Sequence, residues 1–455
     1  MADQAGGRRL SVAVVGTGIS GMAAAWLLSK AHDVTVFERA ERIGGHSNTV
    51  RTPKTHGSLP VDTGFIVYNE STYPNLTALF RHLEVPTLAS DMSLAVSLDD
   101  GALEYGGGSF SALLAQKRNL LRPRFWSMLA GLLRFYRQAP HDAGGLDEVH
   151  VTLGDYLRRN GYSRAFRDDH LLPMAGAIWS AAPQEMLEYP AAAFIRFHEN
   201  HGLLKIRDRP VWRTVVGGSA TYVERLTRAF KDRIRLDCGV ARIQRHAAGV
   251  TVIDQNHEAH EFDHVVIATH ADQALAMLAD PSLDERALLG AFRYSRNVAV
   301  LHTDDSLMPK RRAAWSSWNA IGTRTGPGDK PRVTVTYWMN KLQNLPEETP
   351  LFVTLNPPRP PHAGTLIHSE TYEHPLFDLE AFAAQRQLWS LQGVGNTWYC
   401  GAHFGAGFHE DGLQAGLAVA EAIGDVRRPW TVANESGRIP LDKARKRVPQ
   451  PTLPA

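Results

Sequence analysis

The stretch "LSVAVVGTGISGMAAAWLLSKAHDVTVFERAERIGGHSNTV", residues 10–50, restricts the fold more than any other part of the chain. From Leu10 to Ser29 it carries no charge, which is long enough for a membrane span. Its local chemistry points elsewhere. Gly16, Gly18 and Gly21 break the run directly after the β-forming stretch Val12 to Val15, and alanine-rich sequence comes next. A run of β-formers, then glycines, then helix-formers is a strand, a turn and a helix. The preceding "MADQAGGRRL" lacks the apolar core of a secretory signal, and no other segment has the length and apolarity of a span. The expectation is a protein that is not integral to a membrane.

"GTGISG" matches G-x-G-x-x-G between that strand and that helix. In this motif the first glycine, Gly16, permits the tight turn and the second, Gly18, lets backbone approach a pyrophosphate. The third, Gly21, lets helix and strand pack closely, and the helix start favours the phosphate charge. Gly21, Ala25 and Ser29 recur every four residues and give the helix a small-residue face. "VTVFE" reads as a second strand, and Glu38 ends it about 20 residues after the glycines, where a ribose-binding carboxylate belongs. A glycine turn alone occurs in many α/β proteins; strand, helix, second strand and terminal carboxylate together specify a dinucleotide.

The residues after Glu38 decide between flavin and nicotinamide. "ERAERIGGHS" supplies Arg42 and a second glycine pair, Gly44 and Gly45, and "VDTGF" (Val61 to Phe65) comes after it. With these elements the chain resembles the flavin amine oxidase and phytoene desaturase superfamily. In that group the basic residue and Gly-Gly lie along the FAD pyrophosphate, and the next glycine approaches the flavin ring. "RTVVGGSATYVERL", "IRLDCGVARIQRHAAGVTVIDQNHEAHEFDHVVIATH" and "GAHFGAGFHEDGLQAGLAVAEAIG" continue the resemblance. It is closest to a bacterial subgroup of NAD/FAD-binding flavoproteins associated with cyclopropane, methyl-branched or furan fatty acid synthesis. The resemblance implies an α/β fold: a Rossmann-like FAD-binding domain of the amine oxidase type with an inserted α+β substrate domain. It implies FAD contacts at Gly16, Gly18, Ile19, Ser20, Gly21, Glu38, Arg39, Gly45, His46, Gly64, Phe65, Val240, Thr269, Gly401, Gly412 and Leu413. The last two come from a helix expected to start near Gly412, its N-terminus aimed at the flavin and its small face made by Gly412, Gly416 and Ala420. No second G-x-G-x-x-G stands in the right context, so reoxidation by oxygen or a carrier is expected rather than feeding by NADPH.

The chain departs from the amine oxidases in places. Where they carry Gly-Glu or Gly-Asp in the C-terminal motif, Gly401 is followed by Ala402 and His403. Trp398 and Tyr399 lie near the place of the aromatic cage, but adjacent strand residues face opposite ways. Cys400 reads as a buried strand cysteine rather than a flavin attachment point. His403 and His409 read as flavin environment or core, with no metal expected, since zinc needs further ligands at short spacing. Lys341 is either a water-ordering lysine at the flavin or an exposed residue after a strand; Tyr68, Asn69 and Glu70 either line the site or form a turn.

At 455 residues the chain is long enough for two or three domains. The expected division is an FAD domain in three segments, 1–90, 206–285 and 391–430, with a C-terminal tail at 431–455. Between them lie the substrate-domain segments 91–205, mostly helical, and 286–390, an antiparallel sheet built from "NVAVLHT", "RVTVTYWM" and "LFVTLN". A net charge of +2 gives no reason to expect nucleic acid, and two cysteines point to a reducing, cytoplasmic setting. One segment, 111–138, carries Lys117, Arg118, Arg122, Arg124, Arg134 and Arg137 among leucines and aromatics, with no acid. This is either an interfacial helix on anionic lipid, at the inner face of the membrane, or helices with an apolar face in the core. The leading expectation is desaturation of a hydrophobic or lipid substrate, such as a phospholipid acyl chain, by hydride transfer to flavin N5. His403, His409 or Glu410 would then be the base. The alternatives are amine or amino-acid oxidation, and a flavin-binding partner protein without catalysis.

Overall fold

A computed structural model describes residues 8–146, 151–179, 183–205, 208–323 and 332–441, so the expected tail lies outside the described residues from 442 onward. Ser11–Val15 forms the middle strand of a five-stranded parallel sheet, ordered Ile234–Arg235, Asp33–Phe37, Ser11–Val15, His264–Ile267, Thr397–Tyr399. Val12, Ala13 and Val14 are fully buried, as a parallel strand covered on both faces requires. The helix Ile19–Leu28 has no exposed side: every residue in it is buried. Its cover is the sheet below and the C-terminal helix His409–Ile423 above. A Cβ on Gly416 of that helix would lie 2.1 Å from the Ser20 carbonyl oxygen. The expected β-meander is present as Val240–His246, Gly249–Asp254 and Ala259–Phe262.

A second, seven-stranded sheet is ordered Leu366–Leu376, Arg293–His302, Phe352–Leu355, Arg332–Trp338, Trp318–Thr323, Leu94–Leu98, Leu103–Gly106. It differs from the expected antiparallel sheet in two ways. Trp318–Thr323 pairs in parallel with Leu94–Leu98, and two of its strands come from the insert read as helical. The overlooked signal is the turn Asp99, Asp100, Gly101, all at positive φ, between two runs of β-formers. Helices dominate the remainder of that insert, the longest being Pro123–Ala143. The fold is thus the expected α/β architecture, a Rossmann-like parallel sheet with an inserted mixed domain. No helix among the described residues is long and apolar enough to cross a membrane.

The two sheets meet over the loop 42–64. Tyr372, on the long edge strand of the second sheet, accepts from Asn48 Nδ2 at 3.0 Å and bonds Thr63 Oγ1 at 2.8 Å. Beneath this contact Asp62 is a joint of four chain segments. Its carboxylate accepts from Ser219 N at 2.9 and 3.0 Å, Ser219 Oγ at 2.7 Å, Thr49 Oγ1 at 2.6 Å and Gln343 Nε2 at 3.0 Å. Burial pushes its carboxyl up to about 6, and those donors hold it from going further. Asp62→Ala strands several buried donors at once and is expected to cost about 3 kcal/mol or more, read as a lower urea midpoint at unchanged slope.

Candidate functional site

Three parallel strands end side by side: Val15 runs into the glycine turn, Ile267 into Ala268 and Thr269, and Tyr399 into Cys400 and Gly401. At Gly16, φ is 101° and a Cβ would lie 2.9 Å from the Ala268 carbonyl oxygen. At Gly21 a Cβ would lie 2.0 Å from the Gly16 oxygen, which forces glycine by packing. Gly18 differs: nothing lies within 4 Å of where its Cβ would be. The backbone is bare at the point where a phosphate would approach. Gly18 also caps the helix without any side-chain bond, and the first turn holds no acid. The first-turn amides, Ile19 and Ser20 among them, therefore have no intrahelical acceptor. A bare glycine in front of free amides at a helix start fits the FAD pyrophosphate.

The residues expected at the adenosine side are held just as firmly. Glu38 Oε2 accepts from Thr17 N at 2.9 Å and Thr17 Oγ1 at 2.5 Å, and Oε1 accepts from Ala40 N at 2.9 Å. Those bonds hold the carboxylate over the turn. The Glu38 carbonyl accepts from Cys238 N at 2.8 Å, and a Cβ on Gly239 would touch Arg39, so Glu38, Arg39 and Val240 converge. Glu38→Ala removes both the ribose acceptor and the brace on Thr17. Charge-assisted hydrogen bonds are each worth about 1.5–3 kcal/mol, so FAD affinity is expected to fall roughly tenfold to a hundredfold, measured by titrating FAD into apoprotein.

The Gly-Gly extension folds onto the same turn. Gly44 N donates to the Thr17 carbonyl at 3.2 Å, a Cβ on Gly45 would lie 3.1 Å from Gly18 Cα, and Arg42 donates to the Gly45 carbonyl at 2.8 Å. Phe65 N donates to the His46 carbonyl at 2.7 Å, and a Cβ on Gly64 would lie 2.2 Å from that oxygen. The His46 ring lies between Tyr372 (centroids 4.9 Å apart) and His374 (5.3 Å). Its Nε2 is buried without a partner, the kind of orphan a bound group satisfies. Burial first, then His374, His270, His409 and Arg42, hold it well below the ordinary histidine range.

The three candidate bases separate. His409 lies flat on Phe65, centroids 3.7 Å apart at 11°. Its Nε2 is 2.8 Å from Tyr222 Oη and 3.0 Å from Ser47 Oγ, and those two oxygens bond each other. Burial pushes it down to about 3. His403 is enclosed by Phe292 and Phe404, Nε2 unpartnered, also pushed down to about 3 by burial and by His270. A Cβ on Gly401 would strike the His403 ring at 2.5 Å. Glu410 is committed elsewhere. Its Oε1 accepts from Asn75 N, Asn75 Nδ2 and Gln414 Nε2, and its Oε2 from Leu76 N, all at 2.9–3.0 Å. It closes the free amides of the helix Pro74–His82.

The C-terminal helix begins at His409, not near Gly412. Asp411 Oδ2 caps it by accepting from Phe408 N at 2.8 Å. Gly412 lies inside the first turns, where a Cβ would lie 2.7 Å from Ser20 Oγ, and Leu413 is fully buried. Gly412 serves the crossing of the first and last helices. Tyr399 donates to Glu285 at 2.6 Å while Trp398 points to His264, so the two face opposite ways as expected and form no cage. Cys400 is buried and free, its thiol pushed up by burial. Lys341 Nζ pairs with Asp91 at 3.5 Å and Ser93 Oγ at 3.3 Å. Tyr68 and Asn69 form a short strand, and the Asn69 carbonyl oxygen Oδ1 accepts from Thr72 N, a turn; Glu70 pairs with Arg81 and Arg213. Among the described residues one set of metal-type groups gathers, Asp254, Glu258 and His260, but Arg235 Nη1 stands 3.2 Å from His260 Nε2 and opposes a cation there.

Phe408, which precedes His409 in the chain, belongs to an aromatic cluster that no spacing in the sequence singles out. Phe408 stacks on Phe197 (4.7 Å, 23°), and Phe197 meets Trp179 at 4.6 Å and His201 at 4.0 Å. His198 and His201 each bond a carbonyl one turn back through Nδ1, at 2.8 Å, and leave Nε2 buried without a partner.

Comparison with known proteins agrees with this geometry. The family described as flavin containing amine oxidoreductase matches over residues 19–305. A protein of Mycobacterium tuberculosis, assigned as flavin-containing monoamine oxidase AofH, is 28% identical over 358 residues, 76% of this chain and 70% of that one. Among solved structures, a putrescine oxidase variant redesigned for cofactor binding superposes with a TM-score of 0.67, at 16% identity, over 91% of this chain and 99% of that one. A fatty acid isomerase from P. acnes, producing CLA, superposes with a TM-score of 0.65, at 15% identity, over 91% and 98%. Both share the fold.

Proposed function

Since the chain belongs to the flavin containing amine oxidoreductase family, and is an FAD-dependent oxidoreductase, we propose that it dehydrogenates adjacent carbons of a hydrophobic substrate, with a fatty acyl chain as the leading class. The observation that carries this reading is the apolar cluster of Trp179, Phe197 and Phe408, whose last member directly precedes His409 in the chain. The acid beside it, Glu410, is spent on a helix end rather than on a cationic substrate. FAD supplies a hydride acceptor when bound. The glycine turn and Glu38 hold its nucleotide end; Phe65 and His46 come from the loop that lies on that turn.

Of the three candidate bases, His409 is best placed to receive the proton. Tyr222 and Ser47 orient its ring, and burial keeps it neutral with a lone pair available. So weak a base removes a proton only after the hydride has begun to leave and the neighbouring C–H has become acidic. The balance is one hydride out, one proton to His409, and a new carbon–carbon double bond.

The test is anaerobic. Phospholipids with long acyl chains are expected to bleach the flavin absorbance, and His409→Phe to slow bleaching roughly a hundredfold while keeping FAD. Oxygen uptake on readmitting air separates oxygen from a carrier as the acceptor. Bleaching by amines alone would overturn the acyl reading. One observation favours that second reading: the unpartnered Nε2 of His198 and His201 are acceptors suited to a hydrogen-bond donor such as an ammonium.

A further inference from the structure

We propose that the outer face of residues 117–137 docks on an anionic phospholipid bilayer. The helix Pro123–Ala143 has two apolar faces where a core helix needs one. Phe125, Met128, Phe135 and Ala139 fill the interior. On the other side Trp126 and Leu133, two turns apart on one stripe, are 52% and 54% exposed. The preceding turn adds Leu121, 86% exposed, and Leu120, 41%. Trp126 Nε1 donates to the Leu120 carbonyl at 2.9 Å, which fixes turn and helix as one surface.

Such side chains cluster here. These four are among the thirteen large hydrophobic residues exposed among the described residues. Isolated exposed leucines need no explanation, whereas a contiguous patch marks a binding surface.

Charge chooses the occupant. From Tyr105 to His141 the chain has six basic residues and no acid. Arg124 is neutralised by Asp169 at 2.7 Å. Lys117 and Arg137 stand exposed beside the patch, and Arg118 donates to the Ala102 carbonyl, a contact that leaves its charge in place. An apolar stripe with a tryptophan, rimmed by cations, is the pattern of a helix lying in the headgroup layer of anionic lipid. A second copy of this chain would bring the same cations face to face. The proposal does not depend on which substrate is oxidised.

The experiment sediments FAD-loaded full-length protein with phosphatidylglycerol or phosphatidylcholine vesicles at low and high salt. Binding to phosphatidylglycerol alone, weakening with salt, is expected. The double variant Leu121→Glu, Leu133→Glu should bind roughly tenfold or more weakly, with flavin spectrum and Tm unchanged because both side chains face water. No binding to either vesicle, or equal binding by the variant, overturns the proposal. So does a concentration-dependent dimer that the variant dissolves, which would assign the face to a second copy.

Discussion

Gly416→Val is expected to yield protein without FAD. Even the first carbon of the side chain would lie 2.1 Å from the Ser20 carbonyl oxygen, and backbone is what it meets, so no rotamer relieves the overlap. The first and last helices must separate, and with them the glycine turn and Gly401, the two segments proposed to hold the cofactor. Overpacking of this kind costs about 3 kcal/mol or more. The ratio of flavin to protein absorbance measures the outcome, with a Tm on the same sample. Stoichiometric FAD at wild-type Tm would show that the crossing is looser than the structure has it.

The second large effect is loss of the fold in mild acid. Burial holds His170, His198 and His302 down to about 4 and His201 to about 3. Their folded values lie below the unfolded 6.5, so the unfolded chain binds more protons as pH falls from that point. Stability is therefore complete above about pH 6.5 and declines toward pH 4. Asp62 opposes this, since its raised value lets the folded state take a proton first. These four histidines against that one carboxyl leave nearly three protons in favour of unfolding, roughly 3 to 4 kcal/mol per pH unit around pH 5. His374, held down to about 4, and His403 and His409, held down to about 3, act in the same direction. Most domains hold about 5–15 kcal/mol, so the far-ultraviolet signal should collapse between pH 6 and pH 4. His198→Phe, which packs against Phe194 without a proton to gain, should shift that midpoint downward. A midpoint at pH 3 or below would refute the burial of these rings.

The nucleotide turn is legible in the sequence because its signals are local. Gly16 to Gly21 and Glu38 lie within one strand–helix–strand unit, and each glycine has a neighbour a few residues away. The C-terminal helix start is hard to place because Phe408 is no usual cap; Asp411 does that work from inside the first turn. Glu410 reads as a base because its partners, the amides of Asn75 and Leu76, come from the other end of the chain. The clasp of Ser47 and Tyr222 on His409 brings three distant segments together, and no spacing encodes it. The hairpin at residues 94–106 is hidden in a region whose longest periodic pattern is helical, although Asp-Asp-Gly marks its turn.

The interleaved sheet has a consequence for synthesis. Strand Ser11–Val15 leaves the ribosome roughly 400 residues before strand Thr397–Tyr399, yet one sheet needs both, and Ser20 is covered by Gly416. Closing a loop of roughly 400 residues makes for high contact order and slow folding. Until then the apolar helix Ile19–Leu28 has no lid, so the nascent chain must be shielded from aggregation until the helix His409–Ile423 has been made. Cofactor capture is in this way a report that the helix His409–Ile423 has been made and has docked.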